Sequence, residues 1–123
     1  MANSVVKKHS ALVIEDDPLI FDILVFKFRN KDWEVSSAMD GENGLKKAAE
    51  FKPDIIMLDI LLPGISGYEV LTTLKATPEL AHIPVLMLSN YGQPEEINKS
   101  LSLGAVDHFI KANVIIDEVV DFA

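Results

Sequence analysis

The sequence predicts an α/β domain: a doubly wound, five-stranded parallel sheet in the order 2-1-3-4-5, covered by five helices. Three observations lead there. Short apolar runs alternate with segments of helical period five times along the chain, the pattern of parallel strands joined by crossover helices. The first, third and fourth runs are apolar without interruption, as strands covered on both faces are. The second alternates, which marks an edge strand exposed on one side.

Each element follows in order. Residues 11–14 (Ala-Leu-Val-Ile) form the first strand. Asp17 is placed to cap a helix whose first residue is Pro18, a position where the missing N–H costs nothing. Its apolar face is expected to use Leu19, Ile20, Ile23, Leu24 and Phe28. Residues 33–38 alternate and form the second strand. Asp40 caps a second helix reaching about Phe51, with Leu45, Ala48 and Ala49 inward, and Pro53 separates it from the third strand, Ile55 to Leu58. Ser66 and Glu69 have the spacing of a capping box. They open a third helix with Val70, Leu71 and Leu74 on one face, ended by Pro78. Residues 85–88 are the fourth strand. A rather polar fourth helix runs over residues 94–103 and closes at Gly104. Phe109 and Ile110 lie in a short fifth strand, and residues 114–122 in a fifth helix.

Composition narrows the function. A chain of 123 residues is one ordinary domain, here residues 1–123 with an ordered core from about residue 10, and 49% hydrophobic content is enough for a core. There is no cysteine, which excludes disulfides, thiolate metal sites and cysteine nucleophiles. A net charge of −8 opposes nucleic acid and anionic membrane surfaces, because both demand basic side chains. No apolar run approaches the roughly 18 residues of a membrane span. The N-terminus lacks the apolar core of a signal peptide, so a cytoplasmic location is expected.

The chemistry stands at the strand ends. The first strand runs into Glu15-Asp16, the third into Asp59, the fourth into Ser89 and the fifth into Lys111. Taken singly, each is an ordinary turn former, helix cap or surface group, and Asp17 is simply the helix start. In a parallel sheet, however, all four ends share one rim. Three carboxylates would then meet a hydroxyl and an ammonium in one crevice. Two carboxylates about 4 Å apart repel by about 4 kcal/mol at an effective dielectric of 20, so the group favours a bound cation. All-oxygen ligands suit Mg²⁺ or Mn²⁺. A divalent cation beside a carboxylate points to phosphoryl chemistry with the carboxylate as nucleophile.

The motifs Val13-Ile14-Glu15-Asp16-Asp17-Pro18, Met57-Leu58-Asp59-Ile60-Leu61-Leu62-Pro63-Gly64 with Gly67, Leu88-Ser89, and Gly104-Ala105 followed by Phe109-Ile110-Lys111 together resemble the receiver domain of bacterial two-component response regulators. The spacings are 43 residues from Asp16 to Asp59, 30 on to Ser89, and 52 from Asp59 to Lys111. The resemblance covers almost the whole chain and implies a flavodoxin-like fold and a phosphorylatable switch. By that resemblance Asp59 is the phosphoacceptor, taking a phosphoryl group from a phosphohistidine on a histidine kinase or histidine phosphotransfer domain. Asp16, Asp59 and the backbone carbonyl of Leu61 would hold Mg²⁺, with Glu15 contributing directly or through water. Lys111 would pair with the phosphoryl oxygens, and Ser89 would bond to one of them only in the phosphorylated state. The change would be read on the face of the fourth helix, fifth strand and fifth helix, which could also form a homodimer. Such a domain promotes its own phosphoryl uptake and slow hydrolysis, and is not a turnover enzyme on an external substrate.

Four features depart from the family. His108 stands where an aromatic switch residue is usual; it reads either as a partly exposed edge-strand residue or as a switch. Ala112 replaces the proline that follows the lysine, so the bond after Lys111 is expected to be trans, given the cost of about 2.5–4 kcal/mol for a cis non-proline peptide. Leu61 and Tyr91, two positions after the acceptor and the serine, are placed to hinder an attacking water and slow phosphoryl loss. The last helix is short for the family. Two other classes are weighed on the residues alone, and the residues argue against both. A flavodoxin-type cofactor module needs a hydroxyl- and glycine-rich loop where Glu15-Asp16-Asp17 stands. A haloacid-dehalogenase-type phosphatase needs a second acid where Leu61 stands.

Overall fold

The computed structural model describes residues 8–90 and 92–112. It contains β1 (Ser10–Ile14), α1 (Pro18–Asn30), β2 (Glu34–Ala38), α2 (Gly41–Phe51), β3 (Ile55–Asp59), α3 (Gly67–Ala76), β4 (Val85–Ser89), α4 (Pro94–Ser102) and β5 (Asp107–Ile110). All neighbouring strands pair in parallel, in the order β2-β1-β3-β4-β5. That is the predicted sheet, with β2 at its edge. Four helices lie among the described residues rather than the five expected; the expected fifth, and Tyr91, fall outside them.

The sheet separates two apolar cores. Alternate residues of the central strands serve each, because side chains switch face at every residue. Leu12, Ile14, Ile56, Leu58 and Met87 meet Ala48 of α2 and Val70, Leu71 and Leu74 of α3 on one side. Ala11, Val13, Met57, Leu86 and Leu88 meet Ile20, Leu24 and Phe28 of α1 on the other. Every residue of β3 and β4 is buried, as their uninterrupted apolar runs predict.

The helix starts behave as their sequences dictate. Asp17 accepts from the backbone N–H of Leu19 at 3.0 Å, Asp40 from Asn43 at 2.8 Å, and Ser66 and Glu69 close a reciprocal capping box. Two inward positions need correction. Leu19 is 67% exposed, because the buried stripe of α1 is Ile20, Leu24 and Phe28 and Leu19 is one residue, about 100°, off it. Ala49 is exposed for the same reason, one residue past Ala48 on α2.

One close approach fixes the start of α3. A Cβ on Gly67 would collide with the carbonyl oxygen of Asp59 and come within 2.8 Å of Ile60 Cα. Only glycine lets the helix N-terminus sit directly on the end of β3, where its N–H donates to Ile60 O at 2.8 Å.

Candidate functional site

Strands β1 and β3 are neighbours, with Ile14 opposite Leu58, so their carboxyl ends bring Glu15-Asp16 beside Asp59. Lys111, the first residue after β5, reaches across. Its Nζ donates to Asp59 Oδ2 at 3.0 Å and to Glu15 Oε2 at 3.1 Å. The backbone N–H of Asp17 also donates to Glu15 Oε2, at 2.9 Å, and that of Leu61 to Asp59 Oδ1, at 3.3 Å. The Lys111–Ala112 peptide is trans, as expected for a non-proline bond.

The picture of Asp59 standing on an open rim needs correction. Asp59 is the last residue of β3 itself and is only 2% exposed; Glu15 is fully buried. The ladder runs further than the apolar run: Asp59 faces Leu88, and Ile60 N–H still donates to Leu88 O at 3.1 Å. Asp16 is the exposed member. Leu61 has its side chain 70% exposed.

Burial dominates the electrostatics. It pushes the Glu15 carboxyl up to about 7, against the Asp17 N–H bond and with the help of neighbouring Asp59. It also raises Asp59, although Glu15, Lys111 and the Leu61 N–H all pull the other way. Burial works to lower Lys111, but its pairs with Asp59 and Glu15 outweigh it and leave the ammonium more basic than usual. Desolvation disfavours whichever form is charged, and opposite charges at close range restore it.

The donor set fits a hard divalent cation. One carboxylate oxygen from each of Glu15, Asp16 and Asp59 lies within 4.8 Å of the others. Glu15 Oε1 is buried without a hydrogen-bond partner, an expensive state that a cation or a metal-bound water would relieve. Three carboxylates face one ammonium, so the charge balance points the same way.

A fold of this order with this acidic cluster can be compared with known proteins. The family model for the response regulator receiver domain matches residues 11–119. The chain belongs to the response regulator receiver family. It is 37% identical over 100 residues to the DNA-binding dual master transcriptional regulator RpaA of Synechocystis, covering 81% of this chain and 42% of that protein. It is 38% identical over 112 residues to the response regulator PleD of Caulobacter vibrioides, covering 91% of this chain and 24% of PleD. The receiver thus spans less than half the length of these relatives. Among solved structures, the N-terminal domain of a response regulator receiver protein from Methanoculleus marisnigri matches with a TM-score of 0.77 at 29% identity, over 95% of this chain and 97% of that one. The chemotaxis response regulator CheY4 of Vibrio cholerae matches at 0.83 with 21% identity, over 95% and 100%, a likeness of fold. No helix among the described residues is long and apolar enough to cross a membrane.

This receiver carries a second buried polar cluster beside the first. Ser89 ends β4, and its Oγ lies 2.6 Å from His108 Nε2. The Gly92 N–H donates to the same oxygen at 3.2 Å. His108 Nδ1 lies 2.9 Å from Ser100 Oγ of α4. His108 is 8% exposed, which overturns the partly exposed reading: β5 pairs with β4, Met87 opposite His108, and α4 covers it. Burial lowers the pKa of His108, with Glu96 and Asp107 pulling weakly back, so the imidazole is neutral near pH 7.

Ser100 and Tyr68 were not among the sequence candidates. Ser100 is fully buried, and it bears on the Tyr68 phenol, whose pKa burial raises and Ser100 lowers. Tyr68 also donates to Glu96 O at 3.4 Å and lies under the Lys99 ammonium, 4.4 Å from the ring centroid. The available signal was a serine three residues after Ile97, on the inward stripe of a polar helix.

Proposed function

We propose that this receiver is a phosphorylatable switch in which Asp59 accepts a phosphoryl group from the phosphohistidine of a kinase or phosphotransfer domain. The supporting observation is the meeting of Asp59, Lys111, Glu15 and Asp16 at one end of the sheet, with Lys111 Nζ 3.0 Å from Asp59. An Asp59 oxygen bonds to phosphorus as the P–N bond breaks, and the departing imidazole keeps the electron pair. Attack needs the carboxylate ionised. Burial opposes that, and Lys111 with the Leu61 N–H counters it. As the group arrives, Lys111 is within reach of its oxygens and offsets their charge.

Asp16, Asp59, Glu15 and the carbonyl of Leu61 are the residues that would hold Mg²⁺ or Mn²⁺. Such an ion, when bound, neutralises phosphoryl charge and orients it for in-line transfer. Ser89 then donates to a phosphoryl oxygen and draws in the loop that leads to α4, altering the face of α4 and β5. That face is the natural site for a readout partner or a second copy. The domain acts on itself, in the cytoplasm, with no contact to nucleic acid of its own.

The test is Asp59→Asn. Incubation with acetyl phosphate or phosphoramidate and Mg²⁺ should label the native protein with acid-labile phosphate and leave the variant unlabelled with its circular dichroism unchanged. Equal labelling of the folded variant would overturn the assignment.

A further inference from the structure

We infer that His108 is a positioning residue for Ser89, and that it passes the state of Ser89 to Ser100 of α4 by exchanging its ring tautomer. The inference deepens the proposed switch and rests on it.

The reasoning is a count of protons. A neutral imidazole has one donor and one acceptor, and a serine hydroxyl has one donor and two acceptor positions. Both ring nitrogens of His108 are engaged, Nε2 with Ser89 at 2.6 Å and Nδ1 with Ser100 at 2.9 Å. Ser89 Oγ already accepts from Gly92 N–H. At rest one arrangement leaves no donor of Ser89, Gly92 or His108 idle. Ser89 O–H donates to Nε2, and Nδ1–H donates to Ser100. The short 2.6 Å contact suits O–H as the donor. The ring makes no use of the Ser100 proton in this arrangement.

A phosphoryl oxygen changes the count. Ser89 has a single proton, and once it is donated to that oxygen a bare Nε2 faces the serine lone pair. In a buried site this is costly. The imidazole resolves it by carrying its proton on Nε2. Ser89 Oγ then accepts from Gly92 and His108 while donating to phosphoryl, which fills its full capacity. The bare Nδ1 now requires a donor, and Ser100 O–H is the one in reach. Its proton turns to His108. The ring holds one proton throughout: one leaves Nδ1, one arrives at Nε2, and water carries the exchange. No rotation of the ring is needed, and the signal emerges at the junction of α3 and α4, where Tyr68 and Lys99 stack.

The experiment reads the ring nitrogens of His108 by long-range ¹H–¹⁵N correlation spectra near pH 7.5, without and with beryllofluoride and Mg²⁺. The expected result is a proton on Nδ1 in the free protein and on Nε2 in the complex. In Ser89→Ala saturated with the same ligand, the His108 pattern should be identical before and after addition. The same tautomer in both states of the native protein, with ligand binding evident at Lys111, would overturn the relay and leave the phosphoacceptor reading standing. A tautomer exchange that persists in Ser89→Ala would also overturn it. No shift at Lys111 or Asp59 on adding the ligand would instead overturn the phosphoacceptor reading, and the relay with it.

Discussion

Two polar clusters lie buried at the carboxyl end of the same sheet, and they are built on opposite terms. Glu15, Asp59 and Lys111 form a charged cluster, with Asp16 at its exposed edge. It keeps an orphaned carboxylate oxygen and more negative than positive charge. Ser89, His108 and Ser100 form a neutral chain in which every ring nitrogen has a partner. The first is incomplete, with a buried carboxylate oxygen left without a partner. The second is complete and can only rearrange. On the proposed reading, the contrast separates the part of the site that would carry the chemistry from the part that would respond to it.

The largest break in this comparison is Lys111→Met. It removes the one cation from a buried pair of carboxylates, and breaking a buried pair typically costs about 3–5 kcal/mol. Urea unfolding should show a loss of that order at pH 8 and a smaller one at pH 5, where Glu15 is protonated. An equal loss at both pH values would mean that the lysine acts through packing.

The pH response should separate the clusters next. Burial raises Glu15 and Asp59, so the folded, metal-free protein binds their protons more tightly than the unfolded chain does. The Glu15 contribution is fully present below its unfolded value of 4.5 and is lost as pH rises through about 7, and that of Asp59 runs in the same direction. For Glu15 a shift of that size corresponds to about 3 kcal/mol across the window. His108 runs the other way. Its pKa is lowered, so its contribution is present above the unfolded value of 6.5 and is lost as pH falls below it. Glu15→Gln should flatten the fall between pH 5 and 8 in chelator-treated protein and leave the acid limb in place. A fall unchanged in Glu15→Gln would put its cause outside the charged cluster.

The smallest effect is kinetic. Leu61 sits two residues from Asp59 and is exposed, an apolar group where a polar one could orient water. Leu61→Asn should speed loss of the phosphoryl group from Asp59 by roughly tenfold, less than the roughly 10²–10⁴-fold of a general acid or base because an amide only orients the water, followed as decay of acid-labile label. Unchanged decay would remove Leu61 from the account.

Much of this was legible in the chain. Uninterrupted apolar runs gave the central strands because only strands covered on both faces need them, and the residue ending each run named the charged cluster. Three things were not legible, for physical reasons. The depth of Asp59 depends on a ladder that continues past the apolar run, and no local pattern marks where pairing stops. Leu19 and Ala49 lie a single residue off their helix stripes, closer than periodicity resolves in a short helix. The burial of His108 depends on α4 folding over β5, which brings together Ser89, Ser100 and a histidine that are scattered in sequence. The charged cluster was found because its residues stand at the ends of the strands; in the neutral chain only Ser89 does, while His108 lies within β5 and Ser100 on α4.

The contact between Gly67 and the Asp59 carbonyl has a consequence for anyone who would transplant this site. The five polar side chains could be copied onto another parallel sheet and still fail. The Asp59 carboxylate is carried by a strand end against which a helix is seated at backbone distance, and that seat is a property of a missing side chain. What must be grafted is a dent as well as a set of charges.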